Sequence, residues 1–171
     1  MSVLDGWRVC PRCGGELERD ARRVACGGCG FVFYANAAPT ASALCLDDER
    51  RLLLARRAHE PFRGLWDTPG GFVEEDEHPL DALRRELLEE TGLEVEPLEF
   101  FGVWVDRYGP GEDDRVTMNL FWTVRVVGGE PRPADDVDAL HWFPLDGLPA
   151  RSELAFRRIA AVLAAFREQQ S

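Results

Sequence analysis

Residues 71–93 read GFVEEDEHPLDALRRELLEETGL, and the functions of the flanking segments are best understood from this stretch. Its apolar side chains recur at helical spacing, which predicts an amphipathic helix from Pro79 to Glu90. Pro79 suits the first helical turn, and Gly92 suits the left-handed residue that follows a helix end. His78 is a weak N-cap type, so the sequence specifies the end of this helix better than its start.

Three glutamates of this helix lie at positions i, i+3 and i+4 and therefore share one face: Glu86, Glu89 and Glu90. The residues between them carry no positive charge, so the three carboxylates would repel one another in water. Hard divalent cations relieve such repulsion, and Mg²⁺ is typically held by a few carboxylates together with substrate phosphates. The alternative is an ordinary solvated acidic helix face.

The stretch resembles the Nudix box, which is written G-x5-E-x7-R-E-U-x-E-E-x-G-U with U aliphatic. The box fits without a gap, and the resemblance extends from about Ala38 to about Pro149. It implies an α/β fold, the Nudix α/β/α sandwich with a mixed sheet. The matching positions are Gly71, Glu77, Arg85, Glu86, Leu87, Glu89, Glu90, Gly92 and Leu93.

This resemblance implies hydrolysis of a diphosphate linkage, X–P–P–Y, assisted by Mg²⁺ or Mn²⁺. Glu89 and Glu90 would be metal ligands, and Glu86 would be a ligand or the general base. Glu77 would pair with Arg85 and orient the helix.

The resemblance implies two further site residues outside the helix. The Gly70 carbonyl is a candidate metal ligand, because it belongs to a P-G-G turn whose glycines allow close approach to a metal. Asp136 is the candidate for the additional catalytic acid that many family members recruit from a loop after the box; it stands where similar sequences commonly carry a glutamate, and its side chain is one methylene shorter. The acidic loop residues Glu112, Asp113 and Asp114 are rivals for the same task.

Substrate contacts are expected from residues outside the box. Arg56, Arg57 and Arg63 could meet phosphates, with ordinary surface charges as the alternative. Four aromatic side chains could stack on a base, and packing in the core is the alternative for each. They are Phe62, Trp66, Trp104 and Tyr108.

Cys10, Cys13, Cys26 and Cys29 form two C-x-x-C pairs separated by twelve residues, a spacing typical of a structural Cys₄ zinc site. Redox chemistry would require a neighbouring βαβ pattern, and disulfides would require an oxidising compartment. We therefore expect a zinc ribbon over residues 1–35 and a Nudix domain over residues 36–171. A ribbon of this size would obtain its folding free energy from the metal.

The combination of ribbon and box resembles the NADH pyrophosphatases, some of which also act on NAD-capped RNA. Their S-Q-P-W-P-F-P motif is absent from residues 99–114, which favours an ADP-ribose-like nucleotide diphosphate over NADH. NADH or NAD-cap hydrolysis remains an alternative, as does a non-catalytic nucleotide-sensing or nucleic-acid-binding protein. A homodimer is expected only by analogy with similar proteins.

Composition narrows these possibilities. The chain has 171 residues, 45% of them hydrophobic and 30% charged, which predicts a folded globular protein. The net charge of −11 argues against general duplex binding and leaves a small nucleotide as the expected partner. The chain has neither a long apolar run nor an apolar signal region near residue 1, so a cytoplasmic protein without a membrane span is expected.

The remaining elements are predicted from short-range patterns. Two strand pairs are expected as hairpins, followed by a single strand and a final helix with Ser152 as its N-cap. Cys45 should be an inert thiol buried in the first of these strands. The predicted ranges are 40–46 with 51–55, 98–108 with 115–127, 139–143, and 152–169.

Overall fold

The computed structural model describes residues 4–111 and 115–170. The first three strands are Glu18–Arg19 (β1), Arg23–Ala25 (β2) and Val32–Tyr34 (β3), and they form an antiparallel sheet in the order β1-β2-β3. This ribbon has a small core of its own, which consists of Leu4, Cys10, Leu17, Val24 and Cys26.

The other strands are Ala38–Cys45 (β4), Arg51–Arg57 (β5), Trp66–Asp67 (β6), Gly70–Phe72 (β7), Leu93–Arg107 (β8), Val116–Gly129 (β9) and Val137–Pro144 (β10). They form a four-stranded sheet, β7-β4-β9-β8, and a three-stranded sheet, β10-β5-β6. Strands β4 and β9 are parallel, whereas the other pairs are antiparallel, so the sheet is mixed as predicted.

The predicted hairpin of β4 with β5 is wrong, although both strands are present. They lie in different sheets and are joined only by an isolated bridge between Leu46 and Leu52. Both strands are buried almost throughout, which is typical of central strands that have a neighbour on each side. The second predicted hairpin, β8 with β9, is confirmed and is longer than expected.

Helix α1, Pro79–Thr91, covers one face of the four-stranded sheet. The His78 side chain accepts a hydrogen bond from the Leu80 amide at 3.2 Å, and Gly92 ends the helix with a φ of 71°. The core beneath α1 contains Ala41, Ala43, Cys45, Leu53, Ala82, Leu83, Leu87, Leu93, Val95 and Val124. Cys45 is fully buried there, and burial raises the pKa of its thiol to about 12.

The opposite face packs against helix α2, Ile159–Gln169, so the order of layers is helix, sheets, helix. The predicted start of this helix at Ser152 is wrong. Arg151–Glu153 forms a 3₁₀ turn, and Leu154 then runs beside Trp66 as a parallel bridge, with the Ala155 amide donating to the Trp66 carbonyl. These contacts hold residues 154–158 outside the helix.

Within residues 4–111 and 115–170, none of the helices combines the length and the apolar character that a membrane span requires.

Candidate active site

A cavity of about 280 Å³ opens between the box helix, the four-stranded sheet and the start of α2. Its lining combines an acidic set and an aromatic set of side chains. The acidic set consists of Asp67, Glu74, Glu86, Glu90, Asp106, Asp135 and Asp136. The aromatic set consists of Phe72, Trp104, Tyr108, Phe121 and Phe156. Thr40, Thr117 and Asn119 form a hydrogen-bonded polar floor on β4 and β9.

Glu90 is the most buried of the box acids, with 6% of its surface exposed. Its carboxylate accepts a hydrogen bond from the Gly70 amide at 2.8 Å. Burial raises the pKa of Glu90 well above its usual value; the Gly70 amide opposes this, and neighbouring Asp136 adds to it. Gly70 has a φ of 137°, and a Cβ there would lie 2.2 Å from the Ala41 carbonyl oxygen. Only glycine fits this approach.

Glu86 reaches the cavity beside Gly71. Its burial raises the pKa of its carboxyl group, although Arg85 opposes the shift. A Cβ at Gly71 would lie 2.4 Å from the Glu86 carboxyl carbon. The second glycine of the P-G-G turn therefore leaves room for this carboxylate.

Arg85 binds three glutamates of the box and one backbone carbonyl. The predicted pair with Glu77 is present, with Nε and Nη2 donating to the two carboxylate oxygens at 2.8 Å each. Nη1 donates to Glu86 at 2.8 Å and to Glu89 at 3.2 Å, and Nη2 also donates to the Phe72 carbonyl. The bond from Arg85 lowers the pKa of Glu77 to about 2. This guanidinium therefore fixes the helix to the preceding loop.

The structure separates the three glutamates that the helical spacing grouped. Glu86 and Glu90 line the cavity with Asp136, whereas Glu89 is half exposed and contacts Arg85. In the described part of the chain, no three carboxylates have ligand atoms that all lie within 4.8 Å of one another. The rival acids at 112–114 lie outside the described residues.

Asp67 is a cavity residue that the sequence did not reveal. It precedes the P-G-G turn, and its carboxylate accepts a bond from the Thr68 amide at 2.8 Å. Burial raises the pKa of Asp67 to about 7, although the charge of Arg57 opposes this. The only sequence signal for this position was an acidic residue directly after Trp66, which packs in the core beside α2.

Asp106 was also missed. It is buried at the cavity wall and accepts bonds from the Arg158 and Arg107 amides at 2.7 and 2.8 Å. It fixes the backbone at the start of α2 beside the cavity. Its position within a predicted strand gave no sign of this contact.

The candidate arginines have different environments. Arg57 is buried at the cavity, where Nη2 donates to the Tyr108 hydroxyl at 3.0 Å and the guanidinium lies against the Tyr108 and Phe156 rings. Arg56 points away from the cavity and pairs with Asp138 at 2.7 Å. Arg63 is exposed and does not line the cavity. The placement favours Arg57 as a substrate contact.

Of the four candidate aromatic residues, two line the cavity and two pack against other aromatic side chains. Trp104 and Tyr108 line the cavity, whereas Phe62 packs edge-on against Phe156. Trp66 packs edge-on against Phe143, with ring centroids 5.1 Å apart, in the core beside α2. A role for Trp66 in substrate binding stays a prediction that this packing does not support.

The raised acid pKa values predict a pH dependence of stability. An acid whose pKa is higher in the folded state stabilises the fold while protonated, and this contribution is lost as pH rises through the folded pKa. Without added Mg²⁺ or Mn²⁺, the free energy of unfolding should therefore rise as pH falls from about 8 to about 6. Urea unfolding of wild type and Asp67→Asn measures this, and the variant should show a smaller rise. An identical rise in both would contradict the shift at Asp67.

The four N-terminal cysteines form a second cluster. Their sulfurs all lie within 4.8 Å of one another, with 3.6 Å between Cys10 and Cys29 and between Cys13 and Cys26. A tetrahedral zinc with bonds of about 2.3 Å separates its sulfurs by roughly 3.8 Å, so the cluster fits this metal. Backbone amides of Cys29 and Gly28 lower the pKa of Cys26 to about 7, which favours the thiolate that a metal requires.

Comparisons with known proteins identify chains that are similar to this one. The NUDIX domain profile matches residues 37–165. An ADP-ribose pyrophosphatase of Methanocaldococcus jannaschii is 35% identical over 65% of this chain and 63% of its own length. The NAD-capped RNA hydrolase NudC of Pseudomonas aeruginosa is 31% identical over 83% of this chain and 49% of its own. This chain thus spans about half to two thirds of these relatives.

Among solved structures, a NUDIX hydrolase from Nitrosomonas europaea superposes with a TM-score of 0.79. The two chains are 25% identical, and the match covers 96% of this chain and 92% of the other.

Proposed function

Because the chain belongs to the NUDIX family, we propose that it is a metal-dependent hydrolase of the diphosphate linkage in a nucleoside diphosphate-linked compound, with an ADP-ribose-like substrate favoured. One observation carries this proposal. A single cavity combines buried carboxylates, a buried arginine and an aromatic wall. These groups suit a metal-bound diphosphate at one end and a nucleoside at the other.

The metal site would consist of Glu86, Glu90 and Asp136, with Glu89 and the Gly70 carbonyl as the further ligands implied by the family resemblance. The raised pKa values of Glu86 and Glu90 support it. Burial is the main cause of both shifts and the neighbouring carboxylates add to them, and a bound cation would offset both effects. Bound Mg²⁺ or Mn²⁺ would supply charge neutralisation and an acidified water.

The protein groups would divide the remaining work. The alternative role of Glu86 is that of general base in place of metal ligand: it would then accept the proton of the attacking water, since partial burial gives it a higher proton affinity than an exposed carboxylate. Arg57 would neutralise phosphate charge, and the Tyr108 ring that orients it would face the nucleoside. Arg85 and Glu77 would hold the helix in register with the P-G-G turn.

Two neighbouring arginines provide a matched test of the phosphate contact. Arg57→Gln should reduce kcat/KM about 10²-fold, because it removes a desolvated charge from the cavity. Arg56→Gln should change kcat/KM by less than about threefold, since its pair with Asp138 is half exposed and lies away from the cavity. Steady-state kinetics at a temperature well below both melting transitions measures this. Equal losses in the two variants would argue against the assigned role of Arg57.

The function is tested by a substrate panel. ADP-ribose, NADH, NAD-capped RNA and nucleoside triphosphates are incubated with Mg²⁺ or Mn²⁺, and the products are separated by chromatography. AMP and ribose 5-phosphate from ADP-ribose are expected, and ¹⁸O-labelled water identifies the phosphorus that is attacked. If no substrate is cleaved but nucleotides bind tightly, the protein is a sensor and the proposal is wrong.

NADH or NAD-cap hydrolysis is the second candidate. The similarity to NudC and the four-cysteine cluster favour it, whereas the absence of the S-Q-P-W-P-F-P motif disfavours it. The ratio of kcat/KM for NADH to that for ADP-ribose discriminates between the two. A non-catalytic role is disfavoured because every acid of the box is retained.

The cysteine cluster is proposed to bind structural Zn²⁺, and residues 1–35 would form a ribbon that precedes the hydrolase domain at residues 36–171. The distances between its sulfurs support this assignment. A cytoplasmic location is proposed with it, because cysteines that bind a metal instead of forming disulfides, together with a nucleotide substrate, suit a reducing compartment.

A further inference from the structure

The loop between β5 and β6, residues 58–65, folds around the guanidinium of Arg57. The Pro61 carbonyl accepts a hydrogen bond from Arg57 Nε at 2.7 Å. The loop also closes on the backbone of the same residue. The Arg57 amide donates to the Leu65 carbonyl at 3.0 Å, and the Arg57 carbonyl accepts from the Gly64 amide at 2.8 Å. The loop therefore begins and ends at the arginine that lies buried at the cavity.

Phe62, in the middle of this loop, has a left-handed backbone with a φ of 68°. Bulky aromatic residues rarely adopt this conformation, because their Cβ atom crowds the following carbonyl oxygen. Gly64, two residues later, has a φ of 83° that glycine adopts freely. Strained residues persist where the surrounding structure fixes them, and they cluster at functional sites. A phenylalanine at a position that favours glycine therefore indicates that its ring has a role.

The Phe62 ring supports the aromatic pair on which Arg57 lies. It meets the Phe156 ring edge-on at 5.1 Å between centroids, and Phe156 stacks on Tyr108 at 5.5 Å. The Arg57 guanidinium lies 5.4 Å from the Phe156 centroid and 5.6 Å from the Tyr108 centroid. Phe62 thus acts on Arg57 through the ring that it presses on Phe156, and its backbone conformation sets the direction of the preceding Pro61 carbonyl.

We propose that Phe62 is a positioning residue, which fixes the guanidinium of Arg57 before the substrate binds. Pro61 holds Nε, and the Tyr108 hydroxyl holds Nη2 at 3.0 Å. These bonds use two of the five N–H groups of a guanidinium, and the others remain available to a phosphate. A side chain that is ordered in advance loses less conformational entropy when the substrate binds. The proposal rests on the phosphate-binding role proposed for Arg57.

Phe62 does not line the cavity, so this role differs from stacking on a base. The two roles predict different results when Arg57 is also replaced. A ring that contacts the nucleoside contributes to activity whether or not Arg57 is present. A ring that acts through Arg57 contributes only while the guanidinium is there to be held.

A double-mutant cycle with ADP-ribose and Mn²⁺ tests the proposal. Phe62→Ala should reduce kcat/KM about tenfold, because the guanidinium loses its support, and Arg57→Gln should reduce it about 10²-fold. The double variant should lose about 10²-fold, no more than Arg57→Gln alone, whereas independent contributions would multiply to about 10³-fold. A double variant that loses about 10³-fold would overturn the proposal.

Conservative and control variants separate positioning from folding. Phe62→Tyr keeps the ring and should retain at least about half of the wild-type kcat/KM. Phe100→Ala removes an exposed ring that packs against Trp122 away from the cavity, and kcat/KM should stay within about twofold of wild type. Thermal melting sets a temperature at which every variant is folded. Equal losses in Phe62→Ala and Phe100→Ala would contradict a specific role for Phe62.

Glycine at position 62 separates the ring from the backbone. It adopts a φ of 68° without crowding, so Phe62→Gly should melt no lower than Phe62→Ala, yet it should lose about as much activity. Wild-type activity in Phe62→Gly would overturn the proposal, because the ring would then have no role. If wild type cleaves no diphosphate substrate, the proposed function fails and this inference fails with it. An active wild type with multiplicative losses refutes the inference alone.

Discussion

Glu90→Gln should reduce kcat for the best substrate by at least about 10³-fold, which corresponds to about 4 kcal/mol of lost transition-state stabilisation. Glutamine keeps the size of the side chain and can still accept the Gly70 hydrogen bond, but it removes the charge that would hold the metal. Steady-state kinetics with saturating Mn²⁺ measures the loss. Near-normal turnover would remove Glu90 from the metal site.

The same variant separates catalysis from folding. Burial raises the pKa of Glu90, so its ionised form lowers the free energy of unfolding of the metal-free protein. The neutral amide of the variant should therefore make the metal-free protein at least as stable as wild type. The rise in melting temperature on adding Mn²⁺ should be largely lost. Glu75→Gln is the control: Glu75 is an exposed neighbour in the preceding loop, and its replacement should change neither property.

Cys26→Ala should abolish zinc binding and unfold the N-terminal ribbon. Structural zinc sites contribute about 10–16 kcal/mol of binding free energy, and the ribbon core is too small to fold without it. Two of its five buried core residues, Cys10 and Cys26, belong to the four-cysteine cluster. The zinc content measured by mass spectrometry should fall from one zinc per chain to none. Limited proteolysis should cleave the variant before about residue 35.

A second cysteine provides the control for this experiment. Cys45→Ala removes a fully buried thiol in β4, which should cost about 1 kcal/mol of stability and leave the zinc content at one per chain. The hydrolase domain has two cores of its own and should remain folded in Cys26→Ala. One zinc per chain retained in Cys26→Ala would refute the assigned cluster.

The parts of the fold that were predictable from sequence are those set by local chemistry. The box helix follows from the leucine spacing, and its end follows from Gly92. The β8–β9 pair follows from two long apolar runs around a polar loop. The β4–β5 connection looked the same locally, but both strands are buried on each side and required partners distant in sequence. Pairing between distant strands leaves no short-range signal.

The site divides in the same way. The Glu77–Arg85 pair could be anticipated because the box motif encodes it. The exposure of Glu89, the burial of Arg57 and the position of Asp67 depend on which neighbouring elements cover each side chain. The late start of α2 has a similar origin, because Leu154 and Ala155 satisfy the backbone of Trp66 instead of continuing a helix.

The register of strand β9 decides which of its side chains reach the cavity and which reach the core. Thr117, Asn119 and Phe121 face the cavity, whereas Trp122 and Val124 contact the core beneath α1. Neighbouring side chains of a strand point to opposite faces, so deleting one residue within β9 would shift its register by one position. The polar floor would then face the helix, and an apolar side chain would face the substrate. Natural insertions and deletions should therefore be confined to the loop that joins β8 and β9. Within the strand, related sequences should differ by substitutions alone.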